Sequence, residues 1–335
     1  MPEGHTIHRL AGAFRELWGG QRLRASSPQG RFAQGAARLD GQVLLDARAH
    51  GKHLFVPFGA KADVPVEDPS VIWLRIHLGL YGSWTFDGDA AFTAPHAIGA
   101  PRRRVGERGE HALACGGGLA LPRLSAGAGA VSGGAADSDC VAPVVGEWQV
   151  PEPRGAVRLR LLGEHGCADL TGPAACEVLD AAGVAAVRRR LGPDPLRGDG
   201  DREAFVANVR RRRRSVGELL MDQSVLAGAG NIYRAETLFR CGVNPLRLGS
   251  AVSERRLRAI WDDLVLLMED GVATGFITTV AVEDVPDPLP EGDQEARRWY
   301  VYHRDGRPCL RCGARVQRAD LAGRALFWCP RCQAR

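Results

Sequence analysis

Residues 219–239, LLMDQSVLAGAGNIYRAETLF, decide how the chain is read. A helical run enters the glycine turn Gly228-Ala229-Gly230, and Asn231 opens a second helix. Glycine lets a backbone approach a neighbour closely, and the first turn of a helix favours an anion. Two readings fit. One is a phosphate-binding corner for nucleic acid. The other is an ordinary helix–turn–helix corner whose glycines serve packing. Just upstream, residues 210–214 are five consecutive arginines. Such a run is commonly a solvated helix face, but beside the glycine turn it favours a phosphate backbone as partner.

Working outward, the pattern reads as helical from about residue 174. CEVLDAAGVAAVRRRLG ends at Gly192-Pro193, and DREAFVANVRRRRRSVGELLMDQ follows. SERRLRAIWDDLVLLMEDG places Leu257, Ile260, Leu264 and Leu267 on one face, with Gly271 to close it. The Pro-rich link EDVPDPLPEGDQ then leads to Cys309-x-x-Cys312 and, sixteen residues on, Cys329-x-x-Cys332. Two such knuckles supply four thiolates to a tetrahedral Zn²⁺. Four sulfurs leave the metal no open position, so the zinc is expected to be structural and a zinc hydrolase is disfavoured. The intervening GARVQRADLAGRALFW suits a β-hairpin turning near Gly323-Arg324.

Toward the amino end the period changes. Ile7, Leu10, Phe14 and Leu17 mark a short helix over about residues 4–18, ended by Gly19-Gly20. The runs QRLRAS, VLLDARAH, HLFVPF and VIWLRIHL follow, with AVRLRLLG and GCADLTG further on. Pro, Gly and Asp separate them, as in an antiparallel sandwich or barrel. Residues 87–150 hold CGGGLALPRLSAGAGAVSGGAADSDC, too poor in apolar side chains to order itself, and read as a disordered insertion. Cys115 and Cys140 inside it read as free thiols rather than a disulfide.

Composition sets the frame. The chain has 335 residues, 45% of them hydrophobic, which is globular and long enough for two or three domains. Net charge is +5, with lysine only at Lys52 and Lys61. No apolar run approaches the roughly 20 residues of a membrane span, and the amino end lacks a signal-peptide pattern. Four of nine cysteines at metal spacing favour a reducing compartment, so the expected location is cytoplasmic.

Three short stretches carry further chemistry. HGKHLF sets Lys52 at a strand edge. HLGLYG sets Leu80 and Tyr81 between Gly79 and Gly82, as core residues or as a wedge that fills the gap left by an extruded base. The opening MPEGHT puts Pro2 and Glu3 behind Met1. Proline at position two permits Met1 removal and frees a secondary amine, and α-amino groups titrate at about 7.7–8.0. A neutral amine can attack an electrophilic carbon to form an iminium, with Glu3 moving protons. The plain alternative is a Pro-Glu helix start, since both residues suit a first turn. His5 and His8 read as surface bystanders on the same helix.

In this order, PEG, GKHL, HLGLYG, LLMDQSVLAGAGNIYRAETLF and GRALFWCPRCQ resemble the formamidopyrimidine-DNA glycosylase/endonuclease VIII family, over most of the chain outside residues 87–150. Gly4 and the Leu80-Tyr81 pair look more like the endonuclease VIII branch. The resemblance implies an α+β protein. It would have an N-terminal β-sandwich with a first helix (1–173), a helix–two-turn–helix domain (174–290) and a C-terminal zinc-finger β-hairpin (291–335), with one structural Zn²⁺. It implies a bifunctional DNA glycosylase/AP lyase of base excision repair, acting mainly on oxidised pyrimidines as a nucleoid-associated monomer on damaged DNA. Pro2 would be the nucleophile at C1′, and Glu3 the acid/base. Lys52, Asn231 and Arg324 would hold the flanking phosphates, Lys52 counting also with the catalytic group. Leu80 and Tyr81 would fill the void. The chain departs from the family at Thr6, where an acidic residue is common, and at Val216-Gly217, where a lysine is common. A non-catalytic zinc protein that binds abasic or damaged DNA, and an oxidised-purine glycosylase on the same scaffold, are the competing readings.

Overall fold

The computed structural model describes residues 2–100 and 148–334. Most of the expected insertion, with Cys115 and Cys140, lies outside the described residues. The chain opens with α1 (Gly4–Trp18), in which Ile7, Leu10, Phe14 and Trp18 are buried at helical spacing. It continues through β1 (Arg24–Ser26), α2 (Ala33–Leu39), β2 (Val43–Leu44), β3 (Arg48–His50), β4 (His53–Gly59) and β5 (Ile72–His77). Next come β6 (Ser83–Gly88), β7 (Ala97–Gly99), β8 (Val157–Leu162), β9 (Gly166–Thr171), β10 (Ala175–Leu179) and α3 (Ala181–Arg188).

The strands form two antiparallel sheets, ordered β1-β8-β9-β6-β7 and β10-β5-β4-β2, with β3 also paired to β4. Trp84, Leu159 and Leu170 from the first sheet share one core with Leu54, Leu74 and Ile76 from the second, and α1 inserts Phe14 into it. HLFVPF lacks polar alternation because both faces of β4 are covered. Leu54, Val56 and Phe58 face the main core, while Phe55 packs with Trp73 and Val184 of α3.

Two boundaries differ from the sequence reading. ACEVL is strand β10, paired with β5 from Ala175↔His77 to Leu179↔Trp73, so the change to helix comes later than residue 174. Cys176 and Val178 pack on the core and alternate with Glu177, a period of two. Asp180 then caps α3 by accepting from the Gly183 N–H at 2.7 Å. The ordered sandwich also extends past residue 87: Phe86 and Ile98 are buried, and Phe92 lies 5.6 Å from the Trp18 ring.

The second half contains α4 (Arg202–Arg210), α5 (Val216–Leu219), α6 (Asn231–Arg240) and α7 (Glu254–Thr274). Asp201 caps α4, Ser215 and Glu218 form a reciprocal box on α5, and Ser253 caps α7. Helix α7 runs past Gly271 and closes at Gly275, whose φ of 81° suits a left-handed cap. Phe205, Leu219, Leu226, Leu257, Ile260 and Leu264 build this core. The chain ends in the hairpin β11 (Gln317–Leu321) and β12 (Arg324–Trp328), turned by Ala322 and Gly323, both at positive φ. Arg9 of α1 donates to the Val272 and Ala273 carbonyls at 2.9 Å, tying the first helix to the end of α7. Among the described residues no helix is long and apolar enough to cross a membrane.

Candidate active site

Pro2 and Glu3 are buried. Glu3 occupies the N-cap position of α1, yet its side chain makes no cap there. The carboxylate instead reaches across to α6. Oε2 accepts from the Gly230 N–H at 2.7 Å and Oε1 from the Ile232 N–H at 2.9 Å. The Gly4 N–H donates to the Gly228 carbonyl at 2.8 Å. The acid at the start of α6 is thus the protein's own Glu3, whose side chain is spent there rather than on capping its own helix.

The glycines serve this closure. A Cβ on Gly230 would lie 2.5 Å from Glu3 Cδ. Gly228 has φ of +99°, and a Cβ on it would sit 3.5 Å from the Gly4 Cα and 3.6 Å from the Gly51 Cα. A Cβ on Gly51 would stand 2.9 Å from the Ala227 Cβ. Three segments far apart in sequence therefore meet backbone to backbone, where side chains would hold them apart.

Lys52 follows Gly51 and is half-buried. Burial pushes its ammonium below the ordinary lysine value, the Glu3 charge opposes this, and Arg324 adds to it. Asn231 is buried at the start of α6, and its Nδ2 donates to the Ala325 carbonyl at 3.0 Å. Arg234 donates to Asn231 Oδ1 and, at 2.8 Å, to the same carbonyl. The residue after Arg324 is thus bonded to Asn231, and the finger's exposed arginine is carried to the amino-terminal corner. Leu80 and Tyr81 stand 45% and 66% exposed at the tip between β5 and β6, so they are not core residues. Their flanking glycines are required: a Cβ on Gly82 would lie 2.3 Å from the Leu78 carbonyl oxygen, and one on Gly79 2.8 Å from the Ala174 Cβ.

Several residues at this corner escaped the sequence reading. His5 is buried, not a surface residue, and meets the Tyr233 ring edge-on at 5.5 Å. Burial lowers its pKa to about 3, so it is neutral. Its Nε2 lies 3.2 Å from Thr6 Oγ1, so Thr6 is buried beside it. Glu236 is fully buried and accepts from Thr279 Oγ1 and from the Tyr300, Val301 and Tyr302 N–H groups at 2.5–2.9 Å. This locks α6 to the segment leading into the cysteine unit. Arg234 could have been suspected three residues after Asn231 on one helix face. Glu236 carries no sequence signal, because its partners, three of them backbone groups, lie more than forty residues on.

The four cysteines Cys309, Cys312, Cys329 and Cys332 place their sulfurs within 4.8 Å of one another. The closest approaches are 3.4 Å for Cys312 to Cys329 and 3.8 Å for Cys309 to Cys332. A disulfide needs about 2.05 Å. Tetrahedral ligands at about 2.3 Å from zinc lie about 3.8 Å apart, so the donor set fits one structural Zn²⁺. Val316 and Phe327 pack it against Ala235 and Phe239 of α6.

A β-sandwich seating a buried amino-terminal Pro-Glu, a helix–two-turn–helix unit and a four-cysteine hairpin together define a class of DNA-repair enzyme. Residues 191–282 match the model of the formamidopyrimidine-DNA glycosylase H2TH domain, and residues 306–335 match the zinc finger found in FPG and IleRS. Endonuclease 8 1 of Mycobacterium tuberculosis is 39% identical over 99% of this chain and 100% of its own length. Formamidopyrimidine-DNA glycosylase of Prochlorococcus marinus is 32% identical over 43% of this chain and 50% of its own. Among solved structures, a Lactococcus lactis FPG variant in complex with Fapy-dG DNA shares the fold, with a TM-score of 0.66, 18% identity and full coverage of both chains. The chain belongs to the formamidopyrimidine-DNA glycosylase/endonuclease VIII family, whose class of activity is DNA glycosylase/AP lyase.

Proposed function

We propose that this chain is a bifunctional DNA glycosylase/AP lyase that removes oxidised bases, mainly pyrimidines, from damaged DNA through the amine of Pro2. The observation that carries the reading is the Glu3 carboxylate, buried beside Pro2 and held by the Gly230 and Ile232 N–H groups at the start of α6. With Met1 removed, the neutral amine attacks C1′ of the flipped nucleotide and the glycosidic bond breaks with its electrons on the leaving base. The Glu3 carboxylate takes the proton that the Pro2 nitrogen sheds once bonded to C1′ and passes it to O4′ as the sugar ring opens, which leaves an iminium between Pro2 and C1′. Loss of a C2′ proton expels the 3′ phosphate, a second elimination expels the 5′ phosphate, and water releases the enzyme. Lys52, Asn231 and Arg324 would hold the flanking phosphates, and Leu80 with Tyr81 would fill the void. The endonuclease VIII branch is favoured because the Endonuclease 8 relative aligns end to end, whereas the formamidopyrimidine-DNA glycosylase relative aligns over under half of the chain.

The test compares oligonucleotides bearing one oxidised pyrimidine or one oxidised purine, with native protein and with Pro2→Gly. Native protein should excise the pyrimidine faster, and Pro2→Gly should lose excision while keeping DNA affinity within several-fold. A fully active Pro2→Gly would reject the nucleophile. Faster excision of the purine would reject the substrate class.

A further inference from the structure

Asp194 stands outside the motifs read above, in the loop between α3 and α4, and is 1% exposed. Its Oδ1 accepts from the Leu196 N–H at 3.0 Å. Its Oδ2 takes two longer-range donors: the Gly51 N–H at 2.7 Å and His8 Nε2 at 2.8 Å. Gly51 and Lys52 form the two-residue turn of the β3–β4 hairpin, closed by the His50↔His53 pair. Gly51 has φ of +58° at the first turn position, the arrangement of a type II′ turn. Its N–H lies outside the strand ladder and needs an acceptor from elsewhere. His8 lies one helical turn beyond Gly4, on the helix that carries Pro2 and Glu3.

We propose that the His8–Asp194 pair is a positioning device that sets the Lys52 turn against the amino-terminal helix, so that Lys52 and the Pro2–Glu3 pair keep one relative placement. The surroundings support this. The His50 ring nitrogen meets the Gly192 carbonyl at 3.0 Å, and the Ala227 N–H donates to the Pro193 carbonyl at 2.9 Å. The loop bearing Asp194 therefore braces the Lys52 turn and the α5–α6 glycine turn together. Burial pushes the Asp194 carboxyl up, but the bonds from His8, Gly51 and Leu196 outweigh it and leave it below the ordinary carboxylate value. It is thus an anion in the interior, and removing either donor leaves it under-paired. The proposal rests on the Pro2 reading above.

The experiment uses Asp194→Asn, His8→Leu and His8→Gln in the full chain. Single-turnover borohydride trapping at saturating abasic DNA is followed beside DNA affinity, thermal midpoint and zinc content. Because the chain has only two lysines, reductive ¹³C-methylation gives separate NMR signals for Lys52 and Lys61. Asp194→Asn and His8→Leu should each slow trapping roughly 10- to 100-fold, as expected for a small misplacement. The dissociation constant should stay within about threefold. The Lys52 signal should move while Lys61 stays put, and His8→Gln, which keeps a donor, should recover the rate. If Asp194→Asn fails to fold, the two His8 variants decide. Unchanged trapping in His8→Leu overturns the proposal, as does a loss without movement of Lys52 or without recovery by glutamine. Native protein that traps with a blocked Pro2 amine would instead overturn the nucleophile reading.

Discussion

The cysteine hairpin and the amino-terminal corner are both built from residues brought close to one another, but by opposite means. The hairpin's four ligands come from a span of 24 residues, positions 309–332, and one metal gathers them. The corner gathers Gly4, Gly51, Gly228 and Glu3 from three distant segments, and hydrogen bonds to backbone N–H groups together with absent side chains hold them. A local metal site announces itself through spacing. A site made by close backbone approach shows in sequence only as scattered glycines.

The largest effect should come from removing the metal. Zinc binding in small finger units is worth about 10–16 kcal/mol, so chelation should unfold β11–β12 and abolish DNA binding. Circular dichroism should show the sandwich retained. Binding that survives chelation would break the contrast, because it would mean that the hairpin does not depend on zinc. Next, Gly230→Ala forces a Cβ against the Glu3 carboxyl and should cost about 1–3 kcal/mol of strain. Trapping should fall at least about tenfold, with zinc content unchanged. Gly323→Ala, with open space around its Cβ and only its φ of +72° to resist, is the matched change in the hairpin. It should cost about 1 kcal/mol and leave trapping intact.

A smaller effect comes from pH. His5 and His53 both have pKa values lowered from 6.5 to about 3, chiefly by burial. Between these values the unfolded chain binds more protons than the folded one, so stability rises with pH through that window and is lost as pH falls. Each group should contribute a slope of about 1.4 kcal/mol per pH unit. Urea unfolding between pH 4.5 and 7 should show it, and His5→Phe should roughly halve it. An unchanged slope would mean that His5 is not held neutral. The smallest effect is at Arg324: its change to alanine should lower the salt slope of DNA binding by about 0.9 with little change in thermal midpoint. An unaltered slope would remove Arg324 from the phosphate contacts.

Much of the fold was legible. Helical spacing located α1 over about residues 4–18, with Trp18 rather than Leu17 ending its buried stripe, and the strand runs of the sandwich were visible wherever β-branched and aromatic residues clustered. Strand β10 was missed because its Ala and Glu residues are weak strand formers and it leads straight into α3. Strand β7 was hidden by the glycine- and alanine-rich composition that follows it. At the candidate site, the motifs nominated Pro2, Glu3, Lys52, Asn231 and Arg324. Local pattern could not show that Glu3 leaves its own helix to cap another, since that depends on contacts more than 220 positions apart. It also could not show His5 as buried, because α7 covers a face that the first helix alone would leave open.

The most direct test is to reduce the complex of native protein and abasic DNA with borohydride and to map the adduct by mass. The account predicts one adduct, on the amino-terminal peptide at Pro2, lost when an extra residue ahead of Pro2 turns its nitrogen into an amide. An adduct on Lys52 or elsewhere, or one that survives the blocked amine, would contradict it.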